Sequence, residues 1–183
     1  MFHLITGGSG SGKSAFAEEC ICGFRGHKRI YIATMFPFDG ESHERIRRHR
    51  RMRRKKKFET VERYTDLAGL SLEPEADVLL ECMSNLAANE MYRPEGAGEH
   101  TVEAVLAGID RLLEESRNLV VVTNEIFSDG VRYDPSTEKY LEYLGEINRR
   151  MADRADRVTE VVCGIPVQVK PAEDRERRGE GTV

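Results

Sequence analysis

The stretch Gly7-Gly8-Ser9-Gly10-Ser11-Gly12-Lys13-Ser14 decides how the rest of the chain is read. It follows the apolar run Phe2 to Thr6 and precedes the helix-prone Ala15 to Cys22. Glycine, four residues, glycine, lysine and serine, set between a strand and a helix, form the P-loop pattern. The glycines let backbone N–H groups close around a phosphate chain, and the helix that follows points the positive end of its dipole at the same anion. Lys13 is placed to reach the β- and γ-phosphates, and the Ser14 hydroxyl to sit on Mg2+. A Gly/Ser linker shares the composition but not the strand before it, the helix after it and Lys-Ser in register.

Outward from that stretch, apolar strands alternate with helical patterns. A helix is expected over 13–23, a strand over Arg29 to Thr34, and loop chemistry from Met35 to Gly40. Glu41 to Lys57 is charged and helix-permissive, with a far end too uniformly cationic for a stable helix. A short strand over Phe58 to Val61 and a helix or turn over Tyr64 to Leu72 follow. Ala76 to Cys82 reads as a third buried strand carrying a carboxylate, Glu81, where a Walker B strand has one; Glu81 is therefore expected to hold Mg2+ with Ser14.

Ser84 to Tyr92 reads as a helix, and Thr101 to Arg117 as an amphipathic one with Val102, Val105, Leu106, Ile109, Leu112 and Leu113 on one face. Leu119 to Thr123 is a fourth buried strand, and Ser136 to Ala155 a last helix. Val158 to Cys163 and Val167 to Lys170 suggest a hairpin around Gly164-Ile165-Pro166. The expected fold is α/β and P-loop NTPase-like: a mostly parallel central sheet, helices on both faces and a C-terminal strand hairpin. Residues 1–170 are expected to form one nucleotide-binding domain, and 171–183 a disordered polar tail. Ligands of such sheets lie beyond the carboxyl ends of the strands, where the P-loop, Thr34, Glu81 and Asn124-Glu125 all fall.

The 183 residues hold no apolar run near the roughly 18 residues of a membrane span. Met1-Phe2-His3 leads straight into a strand without a basic-then-apolar leader, so a cytoplasmic address is expected. The four cysteines, 20, 22, 82 and 163, have neither metal-ligand spacing nor the density of a disulfide framework; three of them lie in apolar surroundings and are expected to be small buried hydrophobes. Residues 45–57 hold ten of the 28 basic residues, leaving 18 basic against 32 acidic elsewhere. A cationic segment on an acidic body points to a local anion partner rather than to a protein that coats nucleic acid. His49 lies inside that segment, flanked by Arg45, Arg47, Arg48, Arg50 and Arg51. Cationic neighbours favour the neutral imidazole, which can attack phosphorus while guanidinium groups stabilise the added charge. A lone histidine in an exposed basic run is also an ordinary solvated side chain.

Several segments together resemble one family. They are Ile5-Thr6-Gly7-Gly8 through Gly12-Lys13-Ser14, Tyr31-Ile32-Ala33-Thr34, Arg45-Ile46, His49-Arg50, Thr60-Val61-Glu62, Leu80-Glu81-Cys82 with Asn89, and Val121-Val122-Thr123-Asn124-Glu125. Gly145, Asn148, Ala155-Asp156, Val158 and Gly164-Ile165-Pro166 continue the series. In this order, over roughly residues 1–170, the chain resembles the bifunctional adenosylcobinamide kinase/adenosylcobinamide-phosphate guanylyltransferases of cobalamin assembly. The resemblance implies two reactions, with ATP and GTP as substrates and Mg2+ as cofactor. A nucleoside triphosphate phosphorylates adenosylcobinamide, and a histidine then takes GMP from GTP and passes it to the new phosphate. It implies that His49 is that nucleophile, that Lys13 serves catalysis, and that Thr34, Arg51, Arg53, Arg54, Glu62 and Glu81 join Gly7 to Ser14 around the nucleotide. It also implies a homotrimer. The chain departs from the family after Asn124-Glu125, where Ile126 to Tyr133 keeps only Gly130-Val131 of a Gly-rich segment.

Two other readings fit parts of the sequence. One is a small P-loop kinase for a different alcohol, with His49 incidental. The other is a nucleotide-switched RNA-binding module using residues 45–57, although that run lacks interleaved aromatics for base stacking.

Overall fold

A computed structural model describes residues 1–24, 28–38, 40–53 and 56–171; within the helix over 40–53 the side chains of residues 41, 42, 45, 48, 49, 52 and 53 are not described. Seven strands are formed by β1 (Phe2–Thr6), β2 (Arg29–Ala33), β3 (Phe58–Glu62), β4 (Ala76–Glu81), β5 (Ser116–Val122), β6 (Arg157–Val162) and β7 (Ile165–Lys170). The helices are α1 (Lys13–Gly23), α2 (Gly40–Arg53), α3 (Met83–Tyr92), α4 (Thr101–Glu115) and α5 (Pro135–Arg154). The strands make one sheet in the order β3-β2-β4-β5-β1-β6-β7, parallel except for the antiparallel pair β6–β7. β5 thus separates the P-loop strand β1 from β4.

Alternation along the strands builds a core on each face. Phe2 and Leu4, Ile30 and Ile32, Val78 and Leu80, and Leu119 and Val121 point to the face covered by α3, α4 and α5. Ile5, Tyr31, Leu79, Val120 and Val122 point the other way, toward Ala17 and Ile21 of α1. Each such aliphatic side chain contributes about 1.5–3 kcal/mol by leaving water. Burial on both faces explains why the central strands read as continuous apolar runs. α5 starts firmly: Asp134 accepts from the N–H groups of Ser136 and Thr137, with Pro135 in the first turn.

Some boundaries differ from the sequence reading. The end of α2 does not: the helix stops at Arg53, and Lys56 and Lys57 at the far end of the cationic run lie in a turn, where charge repulsion argued against helix. Ion pairs offset part of that repulsion: Arg47 pairs with Glu44 at 3.5 Å, and Arg50 with Glu62 of β3. α4 stops at Glu115 and β5 starts at once at Ser116, whose hydroxyl donates to the Leu112 carbonyl at 2.6 Å and closes the helix. The segment from Tyr64 to Leu72 holds only a 3-10 turn, Leu67–Gly69. The hairpin turns at Cys163-Gly164, so that Ile165 and Pro166 already belong to β7. Of the cysteines only Cys82 is buried. Cys20 and Cys22 flank the inward positions Ala17 and Ile21 on α1 and are half-covered, Cys163 is exposed on the turn, and all four are free. Residues 172–183, most of the expected tail, lie outside the described residues.

Candidate active site

The P-loop leaves β1 through Gly7, whose φ of 153° and close surroundings exclude a side chain: a Cβ there would lie 2.5 Å from the Val161 carbonyl oxygen. Gly12, at φ 93°, sits in the left-handed region immediately before Lys13 opens α1. The loop is fastened to its neighbours. The Gly164 N–H donates to the Ser11 carbonyl at 2.9 Å, and the Glu125 N–H to the Gly7 carbonyl at 3.1 Å. The N-terminus of α1, whose first amides lack helical partners, is thereby aimed into the space above the loop.

Lys13 is buried, and its ammonium donates to the Gly8 carbonyl at 3.0 Å, across the loop it would hold around a phosphate. Burial holds its pKa below the ordinary lysine value, while Cys82 and Glu81 act the other way. The Ser14 hydroxyl donates to the Glu81 carboxylate at the end of β4. Two oxygens of hard-ligand type therefore face each other beside the loop, a donor set that suits Mg2+ bound jointly with substrate phosphates. Among the described residues no group of three His, Cys, Asp or Glu side chains stands close enough to hold a metal by itself.

Thr34, fully buried, ties β2 to β4. Its hydroxyl donates to the Cys82 carbonyl at 2.8 Å and accepts from the Cys82 N–H at 2.7 Å, the Glu81–Cys82 peptide being cis. The Thr34 carbonyl accepts from the Asn89 amide at 2.8 Å. Beyond it opens a cleft lined by Tyr31, Ala33 and Met35, by Ile46 and Arg50 of α2, and by Glu62, Glu81, Cys82 and Asn85. Glu62 pairs there with Arg50 and accepts from the Tyr64 hydroxyl at 2.8 Å. Burial, followed by that bond, pushes the Tyr64 phenol up to about 12.

The residues singled out in the sequence are thus brought together unevenly. Glu62 and Glu81 line one cleft and Glu81 also meets Ser14 of the P-loop, whereas Thr34 is buried beside the cleft with its hydroxyl taken up by the Cys82 backbone. His49 lies in α2 between Ile46 and Arg50, its side chain outside the described residues. Arg51 is exposed on α2, Arg53 ends that helix with its side chain outside the described residues, and Arg54 lies outside them altogether. Asn124 donates to the Ser84 hydroxyl at 2.6 Å, and Glu125 turns into its own loop, accepting from the Phe127 N–H and the Ser128 hydroxyl. Met35 and Asn85 line the cleft but carry no motif, and Tyr31 and Ile46, which fall in matching segments, were not singled out as site residues. The usable signal was β-alternation, which puts Tyr31 and Ala33 on one side of β2.

Comparison with known proteins adds a match that runs nearly end to end: residues 3–169 fit the family model described as cobinamide kinase / cobinamide phosphate guanyltransferase. The chain belongs to that family. The cobinamide kinase / guanyltransferase assignment agrees with curated relatives. The bifunctional adenosylcobalamin biosynthesis protein CobU of Escherichia coli (strain K12) is 32% identical over 184 residues, spanning 93% of this chain and 100% of that protein. CobP of Pseudomonas aeruginosa, under the same bifunctional description, is 32% identical over 178 residues, spanning 93% of this chain and 98% of that protein. Among solved structures, a prototypical ATPase from the type III secretion system of pathogenic bacteria aligns at TM-score 0.52 and 11% identity, over 92% of this chain and 56% of that one. At that identity the likeness speaks for the fold alone, a P-loop NTPase-like sheet. The family is one of enzymes, and this member has no helix among its described residues that is long and apolar enough to cross a membrane.

Proposed function

We propose that this protein phosphorylates adenosylcobinamide with a nucleoside triphosphate and then transfers GMP from GTP, through His49, to give adenosylcobinamide-GDP. In the first step the substrate hydroxyl takes the γ-phosphoryl group and a nucleoside diphosphate leaves. In the second, an imidazole nitrogen of His49 attacks the α-phosphorus of GTP and the bond to the β-phosphate breaks, releasing pyrophosphate. An oxygen of the new cobinamide phosphate then attacks the same phosphorus, breaks the P–N bond and restores the imidazole.

Lys13, the P-loop amides and the α1 N-terminus hold and orient the phosphates, and the cationic residues around His49 stabilise charge on the transferred group. Mg2+, held by Ser14 and Glu81 with the phosphates, supplies charge neutralisation when bound. The observation that carries this reading is the shared cleft. Ile46 and Arg50, three residues before and one after His49, line the same space as Glu81, whose carboxylate meets Ser14 of the P-loop. Residues 1–170 act as one catalytic unit in the cytoplasm. The unit assembles as a homotrimer, for which exposed Val162, Ile165, Val167 and Val169 on the terminal hairpin offer an apolar surface to cover.

The test is incubation with GTP labelled at the α-phosphate. The expected product is a covalent label that survives alkali, is lost in acid and is missing from His49→Ala, which keeps its kinase activity. Lys13→Ala loses triphosphate binding and with it both activities. An unlabelled wild-type protein that still phosphorylates an alcohol would favour a plain P-loop kinase instead.

A further inference from the structure

Immediately after Thr34 the chain forms an aromatic cluster that the two reactions above do not use. The Phe36 ring lies 4.8 Å from Phe38 and 5.1 Å, edge-on, from Tyr64. The Arg93 guanidinium sits over Phe36 at 3.7 Å from the ring centre. Phe38 is 70% exposed, the most exposed large apolar side chain among the described residues. The cluster is held in place from below. Asn89 fixes the Thr34 carbonyl, and Arg93 follows one turn later as the residue that caps α3, its N–H bonded to the Asn89 carbonyl at 3.0 Å.

Two features say what such a platform is for. It is continuous with the cleft, because Met35 lines the cleft and Thr34 and Phe36 are the neighbouring residues on either side. Its charges are also matched internally: Arg93 pairs with Glu95, and Glu62, which accepts from Tyr64, pairs with Arg50. An apolar, charge-balanced aromatic surface favours a broad and largely uncharged ligand face over another phosphate. Cobinamide presents one. Its corrin ring is flat, edged by methyl groups and amides, and is joined to the reacting hydroxyl by an arm. The ring therefore has to dock beside the phosphate cleft rather than inside it.

We propose that the aromatic surface of Phe36 and Phe38, backed by Tyr64 and Arg93, is the dock for the corrin ring, positioning the arm's hydroxyl toward the P-loop. The inference rests on the function proposed above. Binding energy at this remote surface is spent on orienting the reacting group.

The test compares wild type, Phe38→Ala and Phe38→Tyr, with adenosylcobinamide as the probe. Phe38→Ala, at an exposed position, raises the KM for adenosylcobinamide about tenfold. It leaves ATP affinity and covalent labelling by GTP as in wild type, and Phe38→Tyr restores the KM. An unchanged KM for adenosylcobinamide in an otherwise active Phe38→Ala overturns the dock and leaves the functional reading intact. A loss confined to GTP labelling or ATP affinity assigns the platform to a nucleotide base, and a change in oligomeric state assigns it to a second copy; either result overturns the proposal. A wild-type protein that does not act on adenosylcobinamide overturns the functional reading and the dock together.

Discussion

The Ser14 hydroxyl donates a hydrogen bond to the Glu81 carboxylate, joining the first turn of α1 to the end of β4 across the intervening strand β5. Ser14 and Glu81 would hold Mg2+ together with the triphosphate, and the metal would supply charge neutralisation there. Glu81→Gln keeps the size and the hydrogen bond but removes the charge. It should lower the kinase rate by roughly a hundredfold and require more Mg2+ to reach half its maximum. Nucleotide affinity measured without metal should change little. A magnesium titration of the kinase reaction decides the point, and a Glu81→Gln curve that overlays the wild-type curve would remove Glu81 from the metal site.

His3 lies opposite Arg157 in the β1–β6 pairing and is buried on the α1 face beside Phe16, with its Nε2 2.8 Å from the Thr159 hydroxyl. Burial, with a smaller contribution from Arg157, lowers its pKa to about 4 from 6.5. Above pH 6.5 the imidazole is neutral folded or unfolded, and it imposes no penalty. As pH falls through 6.5 the unfolded chain takes up a proton that the folded chain refuses, so stability drops until the folded pKa is reached. Between pH 7.5 and pH 5 this one group should cost about 2 kcal/mol. Urea midpoints at the two pH values should show that loss in wild type and a smaller one in His3→Gln. Equal losses in both proteins would mean that His3 is not the titrating group.

The phosphate half of the site was legible because its chemistry is local. Gly7 to Ser14 carry spacing, strand and helix in one stretch, and Glu81 ends an apolar strand. The order of the strands followed less directly. Alternating strands and helices imply a parallel sheet, but nothing local says that β5 inserts between β1 and β4. The second half of the site is assembled at long range: Arg50 meets Glu62 across twelve residues, and Thr34 meets Cys82 across forty-eight. Residues such as Met35, Asn85 and Phe36 bear no motif, and only the tertiary fold gives them a role. The cationic part of α2 that is helical is steadied from a distance too, since Glu62, which offsets the charge of Arg50, comes from β3.

The last prediction concerns the turn that follows β3 and its cleft residue Glu62. Gly108, in the middle of α4, packs directly on Leu67: an added Cβ would lie 2.5 Å from the Leu67 Cβ and 2.8 Å from its Cγ. Leu67 cannot yield easily, because it is fully buried in a turn whose Asp66 accepts from the Gly69 N–H and donates its own N–H to Glu90 at 2.6 Å. In an open helix, glycine to alanine stabilises by about 1 kcal/mol. Here overpacking at about 1–3 kcal/mol opposes that gain, so Gly108→Ala should be destabilised by up to about 2 kcal/mol. Gly23→Ala, where nothing lies within 4 Å of the added carbon, provides the contrast and should be neutral or slightly stabilised. Urea unfolding of both variants measures the difference. A Gly108→Ala protein as stable as Gly23→Ala would show that α4 and the turn can move apart, and that the turn does not fix the position of β3's end.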